Sequence, residues 1–110
     1  MCGRYSLAMD LDNLDGRFTF RGSGLALEPR FNIAPTQEVL TVVNDGSENH
    51  GQLMKWGLIP HWAKDPSIGN RMINARAETV AKKPSFKQAF QSQRCLVIAD
   101  GFYEWRKHGK

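Results

Sequence analysis

Nowhere in the 110-residue chain is there a run of the roughly 20 apolar residues that a membrane-crossing helix needs. No membrane partner is expected. No basic and apolar leader with a small-residue cleavage site stands ahead of Cys2, so no export is expected either. Cysteine is scarce: Cys2 and Cys95 are too few for a disulfide framework, and in a reducing compartment both read as free thiols. There is no Cys-x-x-Cys pair, and His50, His61 and His108 lack ligand spacing. Neither a metal nor any other cofactor is expected. Repeats, low-complexity tracts and internal linkers are missing too, which leaves one domain at most. Lysine is absent from residues 1–54, where four arginines face seven acids for a charge of −3. Residues 55–110 hold eleven Lys and Arg against four acids, or +7.

What is present is ordinary for a globular chain: 41% apolar and 24% charged residues, with a net charge of +4. The basic half points to an anionic partner, with nucleic acid first among them. Trp56, Trp62, Phe86, Phe90, Phe102, Tyr103 and Trp105 fall in that half. Bases stack on such rings while Arg and Lys track phosphates. The plainer alternative is a solvated charged face over rings that belong to the core.

Patterning predicts a first strand over residues 2–7 and a helix over 10–20, with Leu11, Leu14 and Phe18 near one face. Residues 21–29 read as loop, and 31–36 as an extended or turn segment because Pro35 pushes Ala34 out of the helical region. Residues 38–44 and 51–58 read as a hairpin around Asp45-Gly46, with a loop longer than the tightest type. Residues 59–70 are loop-like. Residues 71–78 alternate, Asn74, Arg76 and Glu78 on one face, as a strand would. Pro84 suits the first turn of a short helix that puts Phe86, Ala89 and Phe90 together. Residues 95–99 form an apolar run that reads as a strand buried on both faces, with Cys95 an inert core thiol. Residues 102–107 read as a further strand.

The chain opens Met1-Cys2-Gly3-Arg4-Tyr5. If Met1 is removed, Cys2 carries an α-amine and a thiol on adjacent carbons. Such an amine, with an ordinary pKa of about 7.7–8.0, is partly neutral at pH 7. It can condense with an aldehyde to an imine, which the thiol closes to a thiazolidine. It can also act as base to its own thiol, as in amidohydrolases with N-terminal nucleophiles. With Met1 attached the nitrogen is an amide and neither route exists. The alternative is that Cys2 is a small residue on a first strand and nothing more. Glu104 alternates with apolar neighbours; in a partly dry site it would shuttle protons near neutrality, and on an exposed strand it would pair with a cation. Asn74 can orient an amine or carbonyl and Arg76 can grip a phosphate, or both can line a polar solvent face.

Several motifs stand in order: Met1-Cys2-Gly3-Arg4-Tyr5, Arg30-Phe31-Asn32-Ile33-Ala34-Pro35-Thr36, Trp56-Gly57-Leu58-Ile59-Pro60, Ile73-Asn74-Ala75-Arg76-Ala77-Glu78-Thr79, Ser85-Phe86, and the run from Arg94 to Trp105. Together they resemble the SOS response-associated peptidase (SRAP) family, whose members are abasic-site processing proteins. The resemblance spans residues 1–110 and about the N-terminal half of the usual family domain.

The resemblance implies an α+β fold, a curved and mostly antiparallel sheet tending to a barrel, with flanking helices. In this chain the barrel is expected to be incomplete, with open strand edges that invite self-association. It implies recognition of abasic sites in single-stranded DNA and a thiazolidine crosslink to the ring-opened sugar, with associated lyase and autoproteolytic activity. The setting would be cytoplasmic, at the nucleoid of a bacterium or in a eukaryotic nucleus. Carried over, Cys2 is the nucleophile, Asn74 positions its amine and the sugar, and Glu104 transfers protons. Arg4, Trp62 and Arg76 match the DNA-binding groove. Pro84 stands where some members carry a basic residue; either Lys83 beside it takes that phosphate contact or the contact is absent. The family also uses a histidine from its second half. The competing readings are a non-catalytic single-stranded DNA-binding module and an N-terminal-nucleophile amidohydrolase acting on peptides.

Overall fold

The computed structural model describes residues 2–9, 25 and 27–109. The helix expected over 10–20 and most of the loop expected over 21–29 lie outside the described residues. The fold is α+β, with two three-stranded antiparallel sheets. The first sheet runs β2 (Arg30–Ile33), β1 (Arg4–Leu7), β6 (Gly101–Tyr103). The second runs β4 (Asn49–Lys55), β3 (Glu38–Asn44), β5 (Leu96–Val97). One α-helix, α1 (Pro84–Ser92), and a 3-10 turn (Pro66–Asn70) complete the regular elements among the described residues.

The hairpin forms where the sequence places it. Asn44 and Asn49 close its ladder. Gly46 turns at φ 102°, and the Asp45 Oδ1 accepts from the Ser47 and Glu48 amides at 2.8 Å each. An Asp that can bond its own backbone two or three residues on, followed by a Gly free to adopt positive φ, is turn chemistry independent of the rest of the fold. Pro84 likewise opens α1 at its first turn.

Both sheets pack into one core. Tyr5, Leu7 and Ile33 come from the first; Val39, Leu40 and Val42 come from the second; Ile98 comes from the link between β5 and β6. Thr41 is buried among them and donates to the Gln52 carbonyl at 2.8 Å. Asp100 ties the start of β6 to the end of β1 within the first sheet. Its carboxylate accepts from the Ser6 hydroxyl at 2.6 Å and from the Ala8 and Met9 amides at 2.6 and 3.2 Å. Those bonds, Ser6 foremost, hold its pKa below the usual carboxylate range.

Four expectations need correction. In place of a single curved sheet, the described residues make two separate three-stranded sheets, with no closed barrel among them. Residues 71–78 are not a strand: one backbone bond, from the Leu58 amide to the Met72 carbonyl at 2.9 Å, is not a ladder, and residues 76–83 coil through successive turns. The alternation of polar residues there reflects an extended segment without a partner strand. Residues 95–99 are not buried on both faces. Only Ile98 is buried, while Leu96 and Val97 are 58% and 53% exposed, because β5 pairs with β3 on one edge and nothing described covers the other. The strand expected over 102–107 ends at Tyr103, its last residue opposite β1, and Trp105 lies fully in solvent.

Candidate functional site

A close approach of two glycines builds the site. Gly57, at φ 134°, lies where a Cβ would run into the Gly69 carbonyl. Without that side chain, residues 56–58 run beside 72–74. The Trp56 indole donates to the Ile73 carbonyl at 3.0 Å, and the Leu58 amide to the Met72 carbonyl. Asn74 is thereby held so that its Nδ2 donates to the Cys2 carbonyl at 2.8 Å. Residues 72 apart in sequence are joined by one bond at the chain's N-terminal end.

Cys2 is half-buried and packs against the core. Its Sγ lies 3.7 Å from the Arg4 carbonyl, a weak hydrogen bond. Cys2, Asn74 and Glu104 line one cavity of about 580 Å³, walled by Tyr5, Trp56 and Met54 among others. Glu104 is exposed, not in the dry setting that its apolar neighbours suggested, because β6 ends one residue before it. Cys95 also lines this cavity and is exposed, so it is not the core thiol expected. Desolvation by its apolar surroundings still pushes its thiol up, which keeps it protonated at neutral pH.

A second concavity of about 730 Å³ adjoins the first and shares Glu104 with it. Arg4, Phe31, Asn32, Tyr103 and Trp105 line it. The Arg4 guanidinium donates to the Asn32 Oδ1 at 3.1 Å, and the Tyr103 hydroxyl donates to the Phe31 carbonyl at 2.6 Å. Phe31, Tyr103 and Trp105 are 65%, 53% and 101% exposed. Exposed rings beside an arginine are, in general, a surface on which bases can stack while the cation meets phosphate.

The remaining candidates stand apart from both cavities. Trp62 is half-exposed and packs edge-on against His61 at 4.9 Å. Arg76 and Lys83 are exposed at the two ends of the turns over 76–83. Phe31, Asn32 and Tyr5 are site residues that sequence reasoning missed. The signal for the first two was their place in the Arg30–Thr36 motif, which carried the resemblance but drew no chemical reading of its own. For metal binding, the described residues offer one group, Asp45, Glu48 and His50 at the hairpin tip, whose ligand atoms lie within 4.8 Å of one another. Asp45 is already engaged there by two amides, the Ser47 hydroxyl and the His50 Nε2 at 2.7 Å, bonds that depress its pKa.

The family model described as SOS response associated peptidase (SRAP) matches residues 1–110. The chain belongs to the SRAP family. It is 48% identical over 110 residues to the abasic site processing protein YoqW of Bacillus subtilis (strain 168), covering 97% of this chain and 49% of that protein. To the abasic site processing protein YedK of Escherichia coli (strain K12) it is 31% identical over 117 residues, covering 99% and 50%. The chain therefore spans about half the length of these SRAP relatives. A crystal structure of a Bordetella bronchiseptica protein shares the fold, with a TM-score of 0.73 at 22% identity over 94% of this chain and 50% of that one. No helix among the described residues is long and apolar enough to cross a membrane.

Proposed function

We propose that this SRAP chain processes abasic sites in single-stranded DNA through Cys2. The observation that carries the reading is the bond from Asn74 to the Cys2 carbonyl, which fixes the N-terminal residue at the cavity that Glu104 also lines. The names of its relatives support the substrate class. The adjoining groove of Arg4, Phe31, Tyr103 and Trp105 suits unpaired bases and a phosphate. Trp62, Arg76 and Lys83 would extend the path of the strand beyond it.

The chemistry follows from the aminothiol. Once Met1 is removed, the Cys2 nitrogen adds to the aldehyde carbon of the ring-opened sugar. The carbonyl oxygen takes a proton, accepts a second, and leaves as water, which yields the imine. The Cys2 sulfur then attacks the imine carbon while its proton passes to nitrogen, closing a thiazolidine. Glu104 is suited to move these protons from its place on the cavity wall. Abstraction of the proton next to the imine carbon would instead eliminate the 3′ phosphate, which is the lyase branch. Release of Met1 by the chain itself would be the peptidase branch. The outer edges of β5 and β6, unpaired among the described residues and carrying Leu96, Val97 and Phe102, support self-association of this chain as well.

The test is incubation of the intact protein, Met1 removed, with a single strand bearing one abasic site, read by denaturing gel and intact mass. A heat-stable adduct is expected. It should vanish in Cys2→Ala and in a variant with one residue added ahead of Cys2. An identical adduct from Cys2→Ala sinks the reading. Binding without any adduct would favour a non-catalytic module, and release of an acyl group from an amide substrate would favour an amidohydrolase.

A further inference from the structure

The first sheet sets Arg4 in a frame. Tyr103 of β6 lies directly opposite it in the ladder. On the other side β1 pairs with β2 through Tyr5 and Ile33, which puts Asn32 on the face that Arg4 shares. Tyr5, Leu7 and Ile33 face the core. Arg4, Asn32 and Tyr103 are exposed on the opposite face, where they line the groove. The Tyr103 hydroxyl reaches past β1 to the Phe31 carbonyl of β2 at 2.6 Å, which anchors its ring. The Arg4 Nη1 donates to the Asn32 Oδ1 at 3.1 Å. That acceptor is a neutral amide. A carboxylate in its place would also hold the guanidinium, but in an ion pair that cancels its charge. The bond to the amide uses one of several N–H donors, so the fork keeps donors and its full charge for an anion. A side chain that is already held loses less rotamer freedom when it meets a ligand.

We propose that Asn32 is a positioning residue for DNA binding: its neutral amide holds the Arg4 guanidinium in the groove, set for a backbone phosphate with its charge intact. The inference rests on the abasic-site reading of the site and narrows it to one contact. The phosphate that Arg4 meets belongs to the stretch of strand whose bases lie on the groove's exposed rings. Asn32 acts on that phosphate through Arg4 and carries no charge of its own to it.

The intact protein is compared with Arg4→Ala, Asn32→Ala, Asn32→Asp and the double variant Arg4→Ala/Asn32→Ala. Each is titrated onto a labelled single strand with one tetrahydrofuran abasic analogue, which has no aldehyde and reports binding alone. Affinity is read over a series of salt concentrations. Asn32→Ala is expected to bind about fivefold more weakly, the size of one lost hydrogen bond. In the Arg4→Ala background the same substitution should cost nothing further, because its effect passes through Arg4. Asn32→Asp should bind more weakly than Asn32→Ala. Its slope of log affinity against log salt should be shallower than wild type's by about 0.7, the share of one phosphate on a single strand. Wild-type affinity in Asn32→Ala overturns the proposal. So does a loss that persists in full without Arg4, since Asn32 would then support the strand or touch the DNA itself. An Asn32→Asp protein with the wild-type slope overturns it too. If Arg4→Ala binds as wild type does, the groove holds no phosphate and the proposal falls, while the Cys2 chemistry is untouched. The abasic-site reading fails by a different result: wild type binds this strand yet gives no adduct with a true abasic site. Wild type that binds no single strand overturns both.

Discussion

Strand β3 and the β5–β6 segment are both apolar, and they meet opposite fates. In β3, Val39, Leu40, Thr41 and Val42 are all buried. In the later segment, Leu96, Val97, Phe102 and Tyr103 are each more than half exposed. Composition does not separate them; neighbours do. β3 is the central strand of its sheet, paired on one side with all seven residues of β4 and on the other with β5. β5 and β6 are edge strands, and the described residues put nothing over their outer sides. A run of apolar residues thus signals a surface that wants cover. Whether it has cover depends on what the rest of the chain supplies.

The sharpest way to break this comparison is to truncate the buried side. Leu40→Ala should destabilise the chain by about 2–5 kcal/mol, the range for a core leucine whose cavity cannot fully collapse, measured by urea unfolding. A loss below half that range would mean the core is looser than the burial of Leu40 implies.

Asp100 tests what anchors the exposed segment, since it holds the start of β6 to the end of β1. Its pKa is depressed in the fold, so its stabilising bonds are fully present above the ordinary carboxylate value of about 3.9. They fade as the pH falls through its lower folded value. Asp100→Asn should lower the urea midpoint at pH 7 and flatten its decline between pH 5 and pH 2. Parallel pH curves for the two proteins would remove Asp100 from that role.

The smallest effect is expected at the exposed edge. Leu96→Ala should change stability by no more than about 0.5 kcal/mol at low protein concentration. If self-association covers β5, the same substitution should shift the sedimentation profile at high concentration instead. A large loss at low concentration would show that the edge is covered within one chain, and the contrast with β3 would disappear.

Local chemistry carried part of this molecule in plain view. Asp45-Gly46 and Pro84 announce a turn and a helix start because their bonds and backbone limits involve only adjacent residues. The candidate site was half legible. Cys2 behind Met1 advertises an aminothiol by position, and Asn74 and Glu104 entered through motifs. The alternation over 71–78 misled, because period two marks an extended chain and says nothing about whether a strand lies beside it. Glu104 misled for a related reason: apolar neighbours in sequence do not dry a residue that stands beyond the last strand pair.

By itself, then, the sequence determined the family, the hairpin and α1, all of which depend on short spacings or on residue identity. Tertiary structure alone decided that Asn74 would reach the Cys2 carbonyl, that Gly57 and Gly69 would touch, and that Phe31 and Trp105 would share a groove with Arg4. Those relations reach across a dozen or more positions of the sequence, and they exist only once two sheets have closed on a common core.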